Sequence, residues 1–156
     1  MQTFLPFGDF RLSAKSLDNK RLDKQRVETM QIMNVIYKKK VLGETKGAWF
    51  NHPAVLMWED HPWALSEYQL SICAEWDRRG YVDGCFVKTM SIFRQIPENL
   101  QRKYEFPEWL GDENFHETHR SNLVRKDPEF YGKLWEGRLP EENLPYVWPR
   151  KVLNET

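Results

Sequence analysis

The sequence predicts a mostly α protein: a compact, single-domain helical fold with an irregular, aromatic-rich C-terminal tail. Three observations carry this expectation. Long segments repeat their apolar side chains at helical spacing, few segments alternate with period two, and the prolines cluster at 97–107 and 140–149, where they separate elements and wrap a tail. At 156 residues, 40% hydrophobic and 29% charged, the chain has the length of one ordinary domain, and a single domain over 1–156 is expected. No apolar run is long enough for a membrane span, and Met1 to Phe10 lacks the basic start of a secretory signal. A soluble protein of the cytoplasm, of a cell or of an infected host, is the expectation, monomeric and without a membrane partner.

The first strong helix starts near Ser16 or Asp18, either able to cap it, and runs to Gly43 or a little earlier. Leu22, Thr29, Met33 and Ile36 fall on one stripe. Arg21, Gln25, Glu28 and Ile32 fall on the adjacent one, at spacings of four, three and four. A polar stripe beside an apolar stripe lies at the rim of a core, where a site is both structured and reachable. A short helix follows around Pro53–Glu59. A second long helix spans Pro62 to Arg79, with Leu65, Tyr68, Ile72 and Trp76 inward and Gly80 as its stop. Val87–Phe93 reads as a further short helix. The last helical region begins near Asp112 and breaks at Asp127-Pro128, because proline starts a helix more readily than it sits inside one. The tail LPYVWPRKVL is expected to be irregular and packed by its aromatics.

Net charge is zero, yet its distribution is uneven. Residues 1–47 hold ten Lys/Arg against five Asp/Glu, residues 48–118 six against twelve, and residues 119–156 seven against six. Such segregation lets a neutral protein present one positive face, which phosphate binding requires; uneven solvated helix faces read the same way. Glu28 is the first candidate for chemistry. A carboxylate in a basic helix beside Arg21, Lys24 and Arg26 holds charge and moves protons next to an anionic substrate, although Lys24 and Glu28, four apart, also read as an exposed ion pair. The second candidate is HRSNLVRKDP, residues 119–128. His119, Arg120, Arg125 and Lys126 supply charge there, and Ser121 and Asn122 supply positioning hydrogen bonds for phosphate oxygens. With the Lys20–Arg26 cluster and any exposed aromatics, these would line a groove with stacking surfaces for unpaired bases, while most of the seven Trp are expected in the core. His116 and His119 are three apart, and His52 and His61 each precede a proline, but no third and fourth metal ligand is announced. Neither a metal nor an organic cofactor is expected. Cys73 and Cys85, twelve positions apart, are expected to be free thiols.

Several segments, taken in order, resemble the pyrimidine-dimer DNA glycosylase family. They are the N-terminal helix with Leu22 six positions before Glu28, VLGETKGAWFNHPAV at 41–55, YQLSICAEWDRRGY at 68–81 and HRSNLVRKDPEFYG at 119–132, together covering about residues 1–135. The resemblance implies an N-glycosylase with abasic-site lyase activity on duplex DNA carrying a damaged or modified base. In that mechanism the α-amino group of the N-terminal residue attacks the anomeric carbon of the sugar and forms a Schiff base. An α-amino group ordinarily titrates at about 7.7–8.0, against about 10.4 for lysine, so near pH 7 it is the better nucleophile. A glutamate on the first long helix assists the proton transfers, and the resemblance makes it Glu28. Gln25 and the basic residues above become DNA contacts. The phage member of the family exposes a threonine after losing its initiator methionine, whereas this chain begins Met-Gln-Thr, which places Met1 and Gln2 at the reacting end. The family's glutamate is commonly preceded by arginine; here Val27 stands there and Arg26 is one position earlier, on another side of the helix. The rival expectation is a non-catalytic module that binds a nucleotide or nucleic acid in the same basic pocket.

Overall fold

The computed structural model describes residues 1–149. Among them are seven α-helices, a single 3₁₀ turn and no strand: α1 (Phe10–Ser16), α2 (Asn19–Lys40), α3 (Pro53–Leu56), α4 (Pro62–Arg78), α5 (Cys85–Phe93), the turn Glu98–Leu100, α6 (Glu113–Lys126) and α7 (Pro128–Leu134). The mostly α fold is therefore what the chain adopts. The expected helices are present within a few residues of their predicted bounds. Asp18 occupies the N-cap of α2, Gly43 takes φ +67° beyond its end, and Gly80 takes φ +94° beyond α4, the left-handed backbone that suits glycine after a helix. Asp127 caps α7 through a bond from Phe130 N, and Pro128 is its first residue. Helix α1 was not predicted. Its seven residues are too few to show a period, and its N-cap Asp9, accepting from Leu12 N at 3.0 Å, is the only local signal.

The long helices α2 and α4 pack on each other and against α5, and one apolar cluster joins the helices, α5 through its partly buried Ile92 and Phe93. Leu22, Ile32, Met33 and Ile36 of α2 meet Leu65, Tyr68 and Ile72 of α4 there, together with Leu5, Trp58, Phe115, Leu123 and Tyr131. Trp76, expected on the inward face, is only half-buried; it stacks on Tyr81 with ring centroids 4.2 Å apart. Trp58 and Trp135 are buried and four more tryptophans pack partly against the core, whereas Trp49 is half exposed. Cys73 and Cys85 are free thiols, Cys73 buried. No helix of the described residues is long and apolar enough to cross a membrane. The described part of the tail, to Pro149, has no regular structure, and its last residues, Arg150 onward, lie outside the described region.

Candidate active site at the N-terminus

An extended N-terminal segment runs through this helical protein without a partner strand, so its backbone polar groups need other partners. Side chains supply them. Gln2 N donates to Glu28 Oε2 at 3.2 Å, and Gln25 Nε2 donates to Gln2 O at 2.8 Å. Thr3 N is met by the Gln2 side-chain oxygen, and Phe4 N donates to Gln25 Oε1 at 2.8 Å. The hydroxyl of Tyr68 lies 2.7 Å from Phe4 O and 2.8 Å from Gln25 Oε1. Leu5 N donates to His119 Nδ1 at 2.8 Å, while Leu5 O lies 2.8 Å from His116 Nδ1. Gly111 N occupies His116 Nε2 as donor, which leaves Nδ1 as the protonated nitrogen that donates to Leu5 O. Each such bond is worth about 1 kcal/mol net, and a buried group left unpaired costs about 1–3 kcal/mol, so together they fix the segment's path. Met1, at the end of the segment, thereby shares one cavity with Glu28.

Met1, Gln2, Phe4, Lys20, Arg21, Lys24, Gln25, Glu28, Lys126, Tyr146 and Trp148 line a cavity of about 330 Å³. Four cations surround a single carboxylate, the arrangement an anionic substrate requires. Arg21 is tethered to Asp18 at 3.2 Å, whereas Lys20, Lys24 and Lys126 hold no ion pair among the described residues. Burial, and then repulsion by Arg21, Arg125 and Lys24, holds the Lys126 ammonium below the usual lysine range, with Glu28 pulling the other way. Glu28 itself is anchored by Gln2 N and by Gln25 Nε2, each at 3.2 Å. His52 stands close by. Its Nδ1 accepts from Ala54 N at 3.0 Å, capping α3, and its pKa is held down by burial and then by the N-terminal ammonium, with Glu28 opposing.

The sequence-predicted residues divide. Met1, Gln2, Arg21, Lys24, Gln25, Glu28 and Lys126 meet at the cavity. Arg125 lies at its edge: it bonds Asn122 Oδ1 and repels Lys126. Arg26 turns away, paired with Asp83 at 2.7 Å and with Asp23, its guanidinium 4.7 Å over the ring of Trp76. His119 was expected as a surface cation; it is a fully buried neutral imidazole whose pKa burial pushes down to about 3. Arg120 bonds Pro6 O at 2.6 Å and pairs with Glu113. Ser121 and Asn122, expected to face phosphate, are buried and hold the tail instead. Leu144 N donates to Ser121 Oγ at 3.0 Å and Asn122 Nδ2 donates to Leu144 O at 2.9 Å.

That docking explains two residues that sequence reasoning missed. Tyr146 and Trp148, a few positions past Leu144, form a wall of the cavity, with the Gln2 carboxamide facing the Tyr146 hydroxyl. Only their aromatic character in a proline-rich tail hinted at a role.

Comparison with curated proteins gave no match, and comparison with solved structures gave none either. The family described as pyrimidine dimer DNA glycosylase matches over residues 1–89, which carry the N-terminal segment and all of α2 with Glu28, while Lys126 and the tail lie beyond that match. A match over more than half of the sequence, one that takes in Gln2, Gln25 and Glu28 as a bonded group, shows that this chain belongs to the pyrimidine dimer DNA glycosylase family.

Proposed function

We propose that the protein is a DNA N-glycosylase with abasic-site lyase activity, acting in the cytoplasm as a single domain over 1–156 on a damaged base in duplex DNA, pyrimidine dimers by the family's description. The observation that carries this is the Glu28 carboxylate bonded to the peptide N–H next to Met1, inside a cavity ringed by cations. In the first step the neutral α-amine attacks C1′ of the damaged nucleotide. The C1′–base bond breaks, the base departs with the bonding electrons and takes up a proton, and ring opening leaves an imine between the amine and C1′. In the second step the Glu28 carboxylate removes a C2′ proton. The C3′–oxygen bond breaks, the 3′ phosphate leaves and the strand is cut; water then hydrolyses the imine and restores the amine. The chemistry requires no metal or organic cofactor. Lys20, Arg21, Lys24 and Lys126 hold the flanking phosphates, and the base is taken out of the stack for the attack.

The test is Glu28→Gln. A glutamine still accepts from Gln2 N and Gln25 Nε2 but no longer ionises, so strand cleavage falls at least about a hundredfold while DNA affinity stays within about twofold. Unchanged cleavage kinetics would reduce Glu28 to an anchor for the N-terminal segment. Wild-type protein that binds lesion duplex and never cuts it would be the binding module instead.

A further inference from the structure

Trp49 stands apart from the other tryptophans. It is half exposed, and its backbone takes φ +70°, a left-handed conformation that a bulky side chain rarely adopts and that persists only where the surroundings enforce it. Here they do. Phe50 is buried, its carbonyl is held by Lys39 Nζ at 2.8 Å, and Lys39 is itself paired with Glu59. Gly47 lies so close under the Phe50 ring that an added Cβ would stand 2.7 Å from it. His52 N closes the turn on Trp49 O at 2.9 Å. A rigid turn thus holds a large aromatic half exposed to solvent.

The position of Trp49 connects it to the active site. Its ring meets the edge of His52 at 5.5 Å, and His52 meets Trp148, a wall of the cavity, at 5.9 Å. Two ring-to-ring steps, 5.5 and 5.9 Å, therefore join Trp49 to the cavity wall, a span of less than about four base-pair rises of 3.4 Å. Trp49 also lines a recess of about 190 Å³ together with Gln31, Asn34, Lys38, Glu44 and Lys46, so two lysines and one glutamate share that recess with it. Tyr104 shares the left-handed backbone, at φ +66°, but its ring partners Trp63 and Lys103 belong to no wall of the cavity.

We propose that Trp49 is a stacking platform for a DNA base that loses its neighbour when the damaged nucleotide is drawn into the cavity, which makes it a specificity-determining residue for the reaction. The proposal rests on the glycosylase reading above. Taking one nucleotide out of a duplex leaves a gap and an unstacked base beside it, and an aromatic face held within a few base steps recovers part of that lost stacking. The contact forms only on distorted DNA, so it favours damaged over intact duplex.

The experiment compares wild type, Trp49→Ala and Trp49→Phe in binding two duplexes of one sequence, one intact and one with a reduced abasic site that cannot react. Wild type prefers the abasic duplex. Trp49→Ala loses about tenfold in affinity for it, the scale of one base–aromatic stack, with affinity for intact duplex unchanged, and Trp49→Phe keeps most of the preference. If Trp49→Ala retains the full preference, or loses affinity for both duplexes equally, the stacking role is overturned and the glycosylase reading stands. A wild type with no preference overturns that reading, and the stacking role with it.

Discussion

Leu5 is gripped at both of its peptide groups by imidazoles, so a pair of histidines three residues apart on α6 holds the path of the N-terminal segment. His119 must stay neutral to accept from Leu5 N, and His116 must stay neutral to accept from Gly111 N while it donates to Leu5 O. His119 uses Nδ1 to accept from Leu5 N, and its ring packs against Phe115 and Tyr146 at 4.5 and 5.4 Å. Its folded pKa of about 3 lies below the ordinary imidazole value of about 6.5, so as pH falls the unfolded chain takes up the proton first. Stability is therefore full above the unfolded value and declines as pH drops through the window between the two. Burial lowers His116 in the same direction. His119→Asn keeps an acceptor for Leu5 N but removes the ionisation and some of the packing. The variant is less stable at pH 7 by about 1–3 kcal/mol, yet its melting temperature falls less between pH 7 and pH 5 than that of wild type. Parallel declines measured by thermal unfolding would show that the acid sensitivity arises elsewhere.

Helix α2 shows what was legible in the sequence and what was not. Its apolar and polar stripes were readable because both are local periodic patterns: Leu22, Thr29, Met33 and Ile36 are fully buried, and Arg21, Gln25 and Glu28 reach the adjoining cavity. The caps of α2, α4, α6 and α7 were readable for the same reason. The 119–128 segment reads differently in the folded chain. Its composition suited phosphate, but composition does not say which way a helix faces, and α6 turns His119, Ser121 and Asn122 inward to hold Leu5 and Leu144. The apolar neighbours Phe115 and Leu123, at helical spacing from His119, were the available signal that this face is a core face. The extended N-terminal segment was unreadable, because the bonds that hold it span up to 114 positions in sequence and involve no partner strand. Tyr146 and Trp148 escaped for a similar reason, since an irregular tail carries no period.

Across the whole molecule, the excess of basic over acidic residues in 1–47 becomes a local field: Lys20, Arg21 and Lys24 from α2 face Lys126 from α6 across Glu28. Zero net charge thus coexists with a cationic cavity. If Lys24 and Lys126 each neutralise one phosphate, replacing either by alanine lowers the slope of log affinity against log salt by about 0.9, whereas Arg26→Ala leaves the slope unchanged because its guanidinium is engaged with Asp83 and Asp23. Equal slopes for all three variants in a salt titration would place the phosphate contacts elsewhere. The N-terminal segment, α2, α6 and the tail together wall the cavity that Met1 and Glu28 share, and the proposed reaction makes the Met1 amine its nucleophile. That claim is tested most directly by borohydride reduction on DNA containing an abasic site, followed by mass-spectrometric mapping of the covalent adduct in native and N-terminally acetylated protein. An adduct on the α-nitrogen of Met1, and none after acetylation, is the expected result; an adduct on Lys126 or another lysine, or trapping that survives acetylation, would contradict the Met1 mechanism.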